Sequence, residues 1–297
     1  MKVVIIGGGI IGLCSAFYLQ ESGYEVTIID QTDLLNNCSY GNAGYVCPSH
    51  FIPLATPGIV KQGLKWMLNS KSPFYVQPRL DMSLIDWGLK FIKSATAEKV
   101  DRAAIPLRDI AIYSQSLYEA LTKLPQFNFA YEHKGLLEIF QTPTGAEHAA
   151  HTVKKAHQIG LNDTALLSFE ALQALEPQTT IKALGAIHFK CDAHLYPNKL
   201  MEQLIAHLKN VGVTFHTNET VIGFEHQAAN ITKVKTNKSV IDTDTVVIAA
   251  GSWSRELAAL MDIKIPLMPG RGYSVTLEDS PHKINYPSVL IEGRVAL

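Results

Sequence analysis

No sign of charge dominates this chain: 26 Lys and Arg stand against 27 Asp and Glu, for a formal net charge of −1 across 297 residues. Without a basic field there is nothing to hold a polyanion, which sets nucleic-acid binding aside. Cysteine is sparse as well. Cys14, Cys38, Cys47 and Cys191 form no C-x-x-C pair and show no zinc-ligand spacing with histidine, so neither a disulfide framework nor a metal site is expected. Reduced thiols in a cytoplasmic setting fit best. Long apolar runs are also missing. The stretch 3–19 is uncharged, but four glycines and Ser15 interrupt it and it is short for a membrane span. Repeats and low-complexity tracts are absent. What is abundant is apolar residue, 47% of the chain, enough to bury a sizeable core, and the length favours two domains over one.

The apolar residues are ordered in a way that predicts α/β architecture. Residues 3–6 read as a strand buried on both faces, 10–21 as a helix and 26–29 as a second strand ending at Asp30, a βαβ unit. From 36 to 57 glycine, proline and small polar residues predominate, a length that points to a functional loop. Helical periodicity resumes over 58–68, 83–96 and 107–124. Strands are expected at 127–131 and 135–141, helices at 145–159 and 168–175, and a strand at 185–189. Pro197 stands where a first-turn proline is tolerated and opens a helix to about residue 210, before a strand at 213–216. Segments 221–225, 231–236 and 239–243 read as antiparallel strands, and 245–249 as a buried parallel one. The strands 3–6, 26–29, 213–216 and 245–249 should then share one parallel sheet.

At the end of the first strand comes Gly7-Gly8-Gly9-Ile10-Ile11-Gly12, a G-x-G-x-x-G placed between strand and helix as dinucleotide binding requires. Gly7 permits a tight turn, Gly9 lets backbone approach a pyrophosphate, and Gly12 lets helix and strand pack closely, while the helix N-terminus favours the anion. Asp30, followed by Gln31, stands where a carboxylate can accept hydrogen bonds from the adenosine ribose hydroxyls and would repel a 2′-phosphate. This fingerprint does not distinguish NAD from FAD.

The loop beyond it does. Cys38-Ser-Tyr-Gly-Asn-Ala-Gly-Tyr-Val-Cys-Pro48, with the fingerprint before it, resembles the flavin-contacting loop of the D-amino acid dehydrogenases, within the larger family of D-amino acid oxidase-like FAD enzymes. The resemblance implies that Ser39, Asn42, Ala43 and Gly44 meet the pyrophosphate, ribityl chain or isoalloxazine edge of FAD. It extends through Ala193-His194-Leu-Tyr-Pro197, through 213–221, where backbone up to Val221 brackets adenine, and through a strand ending in Ala250, Gly251 and Trp253 near the dinucleotide. The segment 265–274 is similar to the one returning toward the flavin. Implied are a Rossmann-like FAD-binding domain of the glutathione-reductase type, formed by 1–50 and 195–262, and an inserted α+β substrate domain with a mixed or antiparallel sheet, formed by 51–194 and 263–297.

Implied too is oxidation of a D-amino acid to a 2-oxo acid and ammonia by hydride transfer to flavin N5, with electrons passing to a quinone or another carrier. The setting would be cytoplasmic, with peripheral association at the inner face of the plasma membrane. Two rivals stay open: a secondary amine such as D-proline, D-hydroxyproline or an N-methylated glycine as substrate, and an inactive FAD-binding fragment or supporting subunit. The family has a further C-terminal region, so the expectation is an incomplete enzyme whose last strand exposes Val289, Leu290, Ile291, Val295 and Leu297 and which binds FAD weakly.

No catalytic base is named. Tyr273 is the candidate for lining the substrate cavity, and Arg271 and Arg294 are candidates for holding a carboxylate bidentately, with surface salt bridges as the alternative. His194 and Asp192 read either as an acid/base pair or, the favoured expectation, as a helix start that Asp192 caps. His50 reads as an ordinary loop histidine rather than a flavin attachment point. Trp66, Trp87, Phe74 and Tyr75 read as helix-packing residues, an exposed subset of which would suit a membrane surface.

Overall fold

A computed structural model describes the chain except residues 36, 60–62, 64–80, 229, 278–279 and 281–282. Most of the helix expected over 58–68, together with Trp66, Phe74 and Tyr75, lies outside the described residues. In chain order the described elements are β1 (Lys2–Ile6), α1 (Ile10–Glu21), β2 (Glu25–Asp30), β3 (Tyr45–Val46), α2 (Met82–Ser94), α3 (Ala97–Leu121), β4 (Leu136–Phe140), α4 (Pro143–Gln158), β5 (Thr164–Ser168), α5 (Phe169–Leu175), β6 (Gly185–Phe189) and β7 (Ala193–His194). They continue with α6 (Pro197–Asn210), β8 (Thr214–Thr217), β9 (Val221–Gln227), β10 (Asn230–Thr236), β11 (Val240–Asp242), β12 (Thr245–Ile248), α7 (Ser254–Ala259), β13 (Ser288–Leu290) and β14 (Val295–Ala296). The chain divides into two compact units, one formed by Met1–Asn42, Leu124–Ala130 and Tyr196–Ser274, the other by Ala43–Lys123, Tyr131–Leu195 and Val275–Leu297.

The first unit is built on a parallel sheet in the order β12-β1-β2-β8, joining the four strands expected to lie together. Val3 pairs with Thr245, Ile5 with Ile28, and Ile28 with Phe215. The continuous apolar reading of β1 has its cause in coverage from both sides. Val4, Ile6 and Ile29 pack with Val221 and Val234 of the antiparallel β9–β10–β11 layer. Leu13, Ala16 and Phe17 of α1 are buried, and the Phe17 ring meets His207 of α6 and Phe127. On α6, Leu200, Leu204 and Leu208 recur at helical spacing and are buried, each worth roughly 1.5–3 kcal/mol.

The second unit holds a mixed five-stranded sheet, β14-β13-β4-β6-β5, in which β13 runs parallel to β4 and the other pairings are antiparallel. Alternation along β4 sends its apolar residues to two cores. Leu136 and Phe140 join Ile187, Phe189 and the α4 residues Ala149 and Ala156, whereas Leu137 and Ile139 join Ala186 and Leu172 of α5. Two carboxylates tie late chain to this sheet. Buried Glu176 accepts the backbone N–H of Asn285 at 2.8 Å and of Tyr286 at 2.7 Å. Glu292 Oε1 accepts from the backbone N–H of Gln141 and Thr142 and from the Thr142 hydroxyl, at 2.9–3.0 Å.

Three expectations are corrected. Residues 127–130 form no strand, although Phe127 and Phe129 alternate and are buried. The backbone there bonds to α6 instead: the Gln203 amide donates to the Asn128 carbonyl at 2.9 Å and accepts its N–H at 2.7 Å, and Phe129 O accepts from Tyr196 N. The strand-like segment near the end is two short strands joined by a turn with Arg294 at φ 51°. With β13 paired on both edges, Val289, Leu290 and Ile291 are half-buried rather than exposed, while Val295 and Leu297 are exposed as expected. Finally, residue 168 is the cap of α5 rather than part of it: the Ser168 hydroxyl accepts the Ala171 N–H, and the preceding residues form β5, which had not been foreseen.

Candidate dinucleotide site

β1 leads into Gly7, whose φ of +113° belongs to the region glycine favours. Its N–H donates to Ile29 O at 2.8 Å, prolonging the ladder one residue beyond the strand, while Ala249 N donates to Ile6 O on the other side. The turn tolerates no side chain. A Cβ on Gly7 would run into the Ala249 carbonyl, one on Gly8 into the Leu34 side chain, and one on Gly12 into the Gly7 carbonyl oxygen. Gly12 therefore sets how closely α1 lies on the turn.

Side chains from two other segments hold this turn. Asp30 Oδ2 accepts the Gly8 N–H at 2.7 Å, and Oδ1 accepts both the backbone N–H and the hydroxyl of Thr32, at 2.8 and 2.7 Å. Charge-assisted bonds of this kind are the stronger class. Ser39 Oγ accepts the Ile10 N–H at 2.9 Å, and Ser39 N donates to Asn37 Oδ1. The Asn42 amide donates to the Ser39 carbonyl. Gly9, the N-cap of α1, is extended and provides no side-chain cap, the first turn has no acidic residue, and Ile11 is 67% exposed. The positive end of this helix is thus left accessible and is not neutralised by its own sequence.

Other candidates in the first unit fall around this turn. Glu219 N donates to Asp30 O and Asn218 N to Thr32 O, which brings the β8–β9 turn alongside the end of β2. Val221 itself is buried in the core, so only its backbone is available to a ligand. Ala250 and Gly251 follow β12, Gly251 at φ +52° with open space where a Cβ would be, and Trp253 is 52% exposed. Gln31 is exposed. The returning segment reaches the loop: a Cβ on Gly41 would stand 3.4 Å from Ser274 Oγ. Beside it Arg271 is exposed and Tyr273 is 90% exposed, outside any helix or strand and with no enclosing wall among the described residues.

The second unit begins within the same loop, at Ala43, which is exposed, and Gly44, which is buried at φ +72° and whose carbonyl accepts Leu195 N. His194 lies on β7 opposite Tyr45 of β3. Burial lowers its pKa below the ordinary histidine value, and its Nδ1 is buried without a hydrogen-bond partner among the described residues. Asp192 does not cap α6, whose N-cap is Tyr196 with no side-chain cap bond. Fully buried, it accepts instead from Ser49, N–H at 3.0 Å and hydroxyl at 2.6 Å. The expected pairing of Asp192 with the helix failed because β7 separates them. Sequence reasoning also missed Tyr45, whose hydroxyl reaches the carbonyls of Leu297 at 2.5 Å and Ser288 at 3.1 Å, a pairing that no local pattern announces. The Thr32 and Asn37 contacts were missed too, although an Asx-type turn after a strand is a readable signal.

A parallel sheet with a glycine turn, an accessible helix end and a carboxylate-locked second strand defines a dinucleotide-binding α/β protein. The family model described as DAO, FAD dependent oxidoreductase, matches residues 2–295, and the chain belongs to that family of FAD-dependent oxidoreductases. It is 31% identical over 281 residues to a D-amino acid dehydrogenase of Neisseria meningitidis and 32% identical over 285 residues to one of Chromohalobacter salexigens; each alignment covers 93% of this chain and 67% of the relative. The chain thus spans about two thirds of the length of these relatives. Among solved structures it is similar in fold to an L-amino acid deaminase from Proteus vulgaris (TM-score 0.63, 18% identity, covering 97% of this chain and 63% of the other). A glycine oxidase from Geobacillus kaustophilus shares the fold as well (TM-score 0.62, 18% identity, covering 89% and 59%).

Proposed function

We propose that the protein oxidises a D-amino acid to a 2-oxo acid and ammonia, with residues 1–50 and 195–262 as the FAD-binding part and 51–194 and 263–297 as the substrate part. The observation that carries this reading is the Gly7–Gly12 turn locked by Asp30, in a chain about 31% identical to proteins named D-amino acid dehydrogenase. FAD fits what the turn offers. Gly9, where an added Cβ would meet only the Ser39 hydroxyl, leaves backbone open at the N-terminus of α1, so Gly7, Gly8, Gly9, Ile10, Ile11 and Gly12 would hold a pyrophosphate there. Asp30, with carboxylate lone pairs beyond its present bonds, would take the ribose hydroxyls. Ser39 and Asn42 would border the chain toward the flavin, and Ala250, Gly251 and the Val221 backbone would border the dinucleotide.

FAD, when bound, supplies the acceptor for the hydride that leaves the substrate α-carbon. The protein's own task is orientation and exclusion of water. Arg271 presents a guanidinium suited to bidentate contact with the substrate carboxylate, and Tyr273 a phenol beside it. His194, whose pKa burial lowers, would contribute an imidazole that takes up a proton less readily than an ordinary histidine. Water then converts the imino product to 2-oxo acid and ammonia.

The expected electron acceptor is a quinone or another carrier, at the inner face of the membrane. Among the described residues no helix is long and apolar enough to cross a membrane. Supporting a peripheral contact, α2 carries Met82, Ile85, Leu89 and Ile92 exposed at helical spacing.

The test is spectroscopic. The purified protein should carry or take up FAD, and D-alanine added without oxygen should bleach the flavin band while L-alanine does not. Absence of any flavin binding would overturn the reading, and faster bleaching by D-proline or an N-methylated glycine would replace the primary amine with a secondary one. Reduction of a soluble quinone analogue tests the acceptor, and co-sedimentation with anionic vesicles tests the membrane contact.

A further inference from the structure

The second unit assembles a set of reactive side chains that the oxidation does not use. Cys47, His50 and Asp192 each bring a ligand-competent atom within 4.8 Å of the other two. The Cys191 Sγ lies 3.4 Å from Asp192 Oδ1, next to that close group of three but outside it. The strand pairing explains the convergence. Val46 of β3 faces Ala193 of β7 in antiparallel register, so the next residue of one strand, Cys47, and the preceding residue of the other, Asp192, emerge side by side. The turn Cys47-Pro-Ser-His50, closed by His50 N donating to Cys47 O at 3.2 Å, brings the imidazole back toward the thiol. Gln115 fixes the other strand by donating to the Cys191 carbonyl at 2.8 Å.

The Asp192 carboxyl group is fully buried, and its hydrogen bonds come from Ser49, Cys47 and Cys191, all uncharged donors; among the described residues it has no ion pair. A buried carboxylate without a cation is costly. Two thiols, an imidazole and a carboxyl group form a donor set for a thiophilic cation. Oxygen-seeking ions such as magnesium or calcium have no use for sulfur and imidazole donors.

We propose that Cys47, His50 and Asp192, joined on binding by the adjacent Cys191 thiol, form a four-coordinate site for a divalent cation of the zinc class. Two thiols and an imidazole with one carboxylate meet the tetrahedral preference of that ion. On binding, the Cys47 and Cys191 thiols release their protons to solvent and bond to the metal as thiolates; no electron is transferred. Exposed His50 is the ligand on the solvent side, and buried Asp192 the one inside. The ion would pin the turn after β3 to the approach to β7. The sequence conceals such a site because its halves lie about 140 positions apart and only the β3–β7 pairing unites them.

Cobalt(II) tests this without recourse to activity. The full 297-residue chain, reduced, stripped with a chelator and carrying Cys38→Ser to remove the exposed thiol, should bind one cobalt per chain with the intense near-ultraviolet absorption of thiolate ligation, and zinc, but not magnesium, should displace it. Cys47→Ser should abolish most of that band and weaken zinc by on the order of 100-fold. His50→Ala, at an exposed position that leaves the fold intact, should weaken zinc by about 10-fold and shift the cobalt spectrum. The proposal is overturned if cobalt does not bind stoichiometrically, if the band survives both Cys47→Ser and Cys191→Ser, or if zinc affinity is unchanged by His50→Ala.

Discussion

The two sheets reach long-range pairing by different means. In the first unit β1, β2 and β12 are short strands rich in Val and Ile that pair side by side with β8 at the edge, and the critical contacts are backbone against backbone, Gly12 on Gly7 and Gly7 on Ala249. In the second unit, late chain is fastened to the mixed sheet by single carboxylates, Glu176 on Asn285 and Tyr286 and Glu292 on Gln141 and Thr142. The difference is between shape, which residue type fixes, and partnership, which one side chain fixes. Substitutions should therefore break the first unit by adding atoms and the second by removing them.

The largest effect is expected from Gly12→Ala. Its methyl would meet the Gly7 carbonyl, which cannot retreat without parting from the sheet, so a loss of about 3 kcal/mol and of flavin binding should follow, read by urea denaturation and flavin absorbance. Next comes Glu176→Ala, which deprives two backbone N–H groups of a charged acceptor at partly solvated positions and should cost about 2 kcal/mol. Glu176→Gln should retain part of that, and a variant as stable as the parent would erase the contrast drawn above. Asp30→Asn keeps the shape but weakens the bond to Gly8; FAD affinity, measured by fluorescence titration, should fall roughly 10- to 100-fold.

The smallest effect concerns acid. Hydrogen bonds from the Thr236 and Ser239 hydroxyls, with His216 behind them, lower Glu219 from 4.5 to about 2. A depressed carboxylate stabilises the fold at pH above its unfolded value and loses that contribution as pH falls toward the folded one. The advantage of the parent over Glu219→Gln should therefore be full above about pH 5 and shrink toward about pH 3, as read from urea midpoints. A constant difference across that range would remove Glu219 from the account.

The same contrast governs what could be read from the sequence. The glycine turn, Asp30 and the four parallel strands were legible because each is a local pattern with a single physical use: a G-x-G-x-x-G serves no purpose in a helix interior, and a run such as Val3-Val-Ile-Ile suits only a strand covered twice. Residues 127–130 misled because Phe127 and Phe129 alternate as in a strand, yet the Gln203 side chain takes the place of a strand partner. Asp192 was misplaced for a similar reason. Nearness along the chain to α6 suggested a cap, whereas its partners Ser49 and Cys47 come from a distant turn. The Tyr45 and Glu176 contacts lie beyond local reasoning altogether, since each joins residues more than a hundred positions apart.

The order of β12-β1-β2-β8 also has a consequence for the time at which the site comes into being. β1, α1 and β2 are adjacent in sequence and can associate early during synthesis, but the strand on the other side of β1 begins at Thr245. Until the ribosome has delivered it, one edge of β1 has no partner and the Gly7 turn lacks the Ala249 carbonyl that confines it. Such high contact order makes assembly slow, and a nascent chain carries an unpaired apolar edge through most of its translation. A cofactor that requires the finished turn can act only as a late arrival, securing a sheet it had no part in starting.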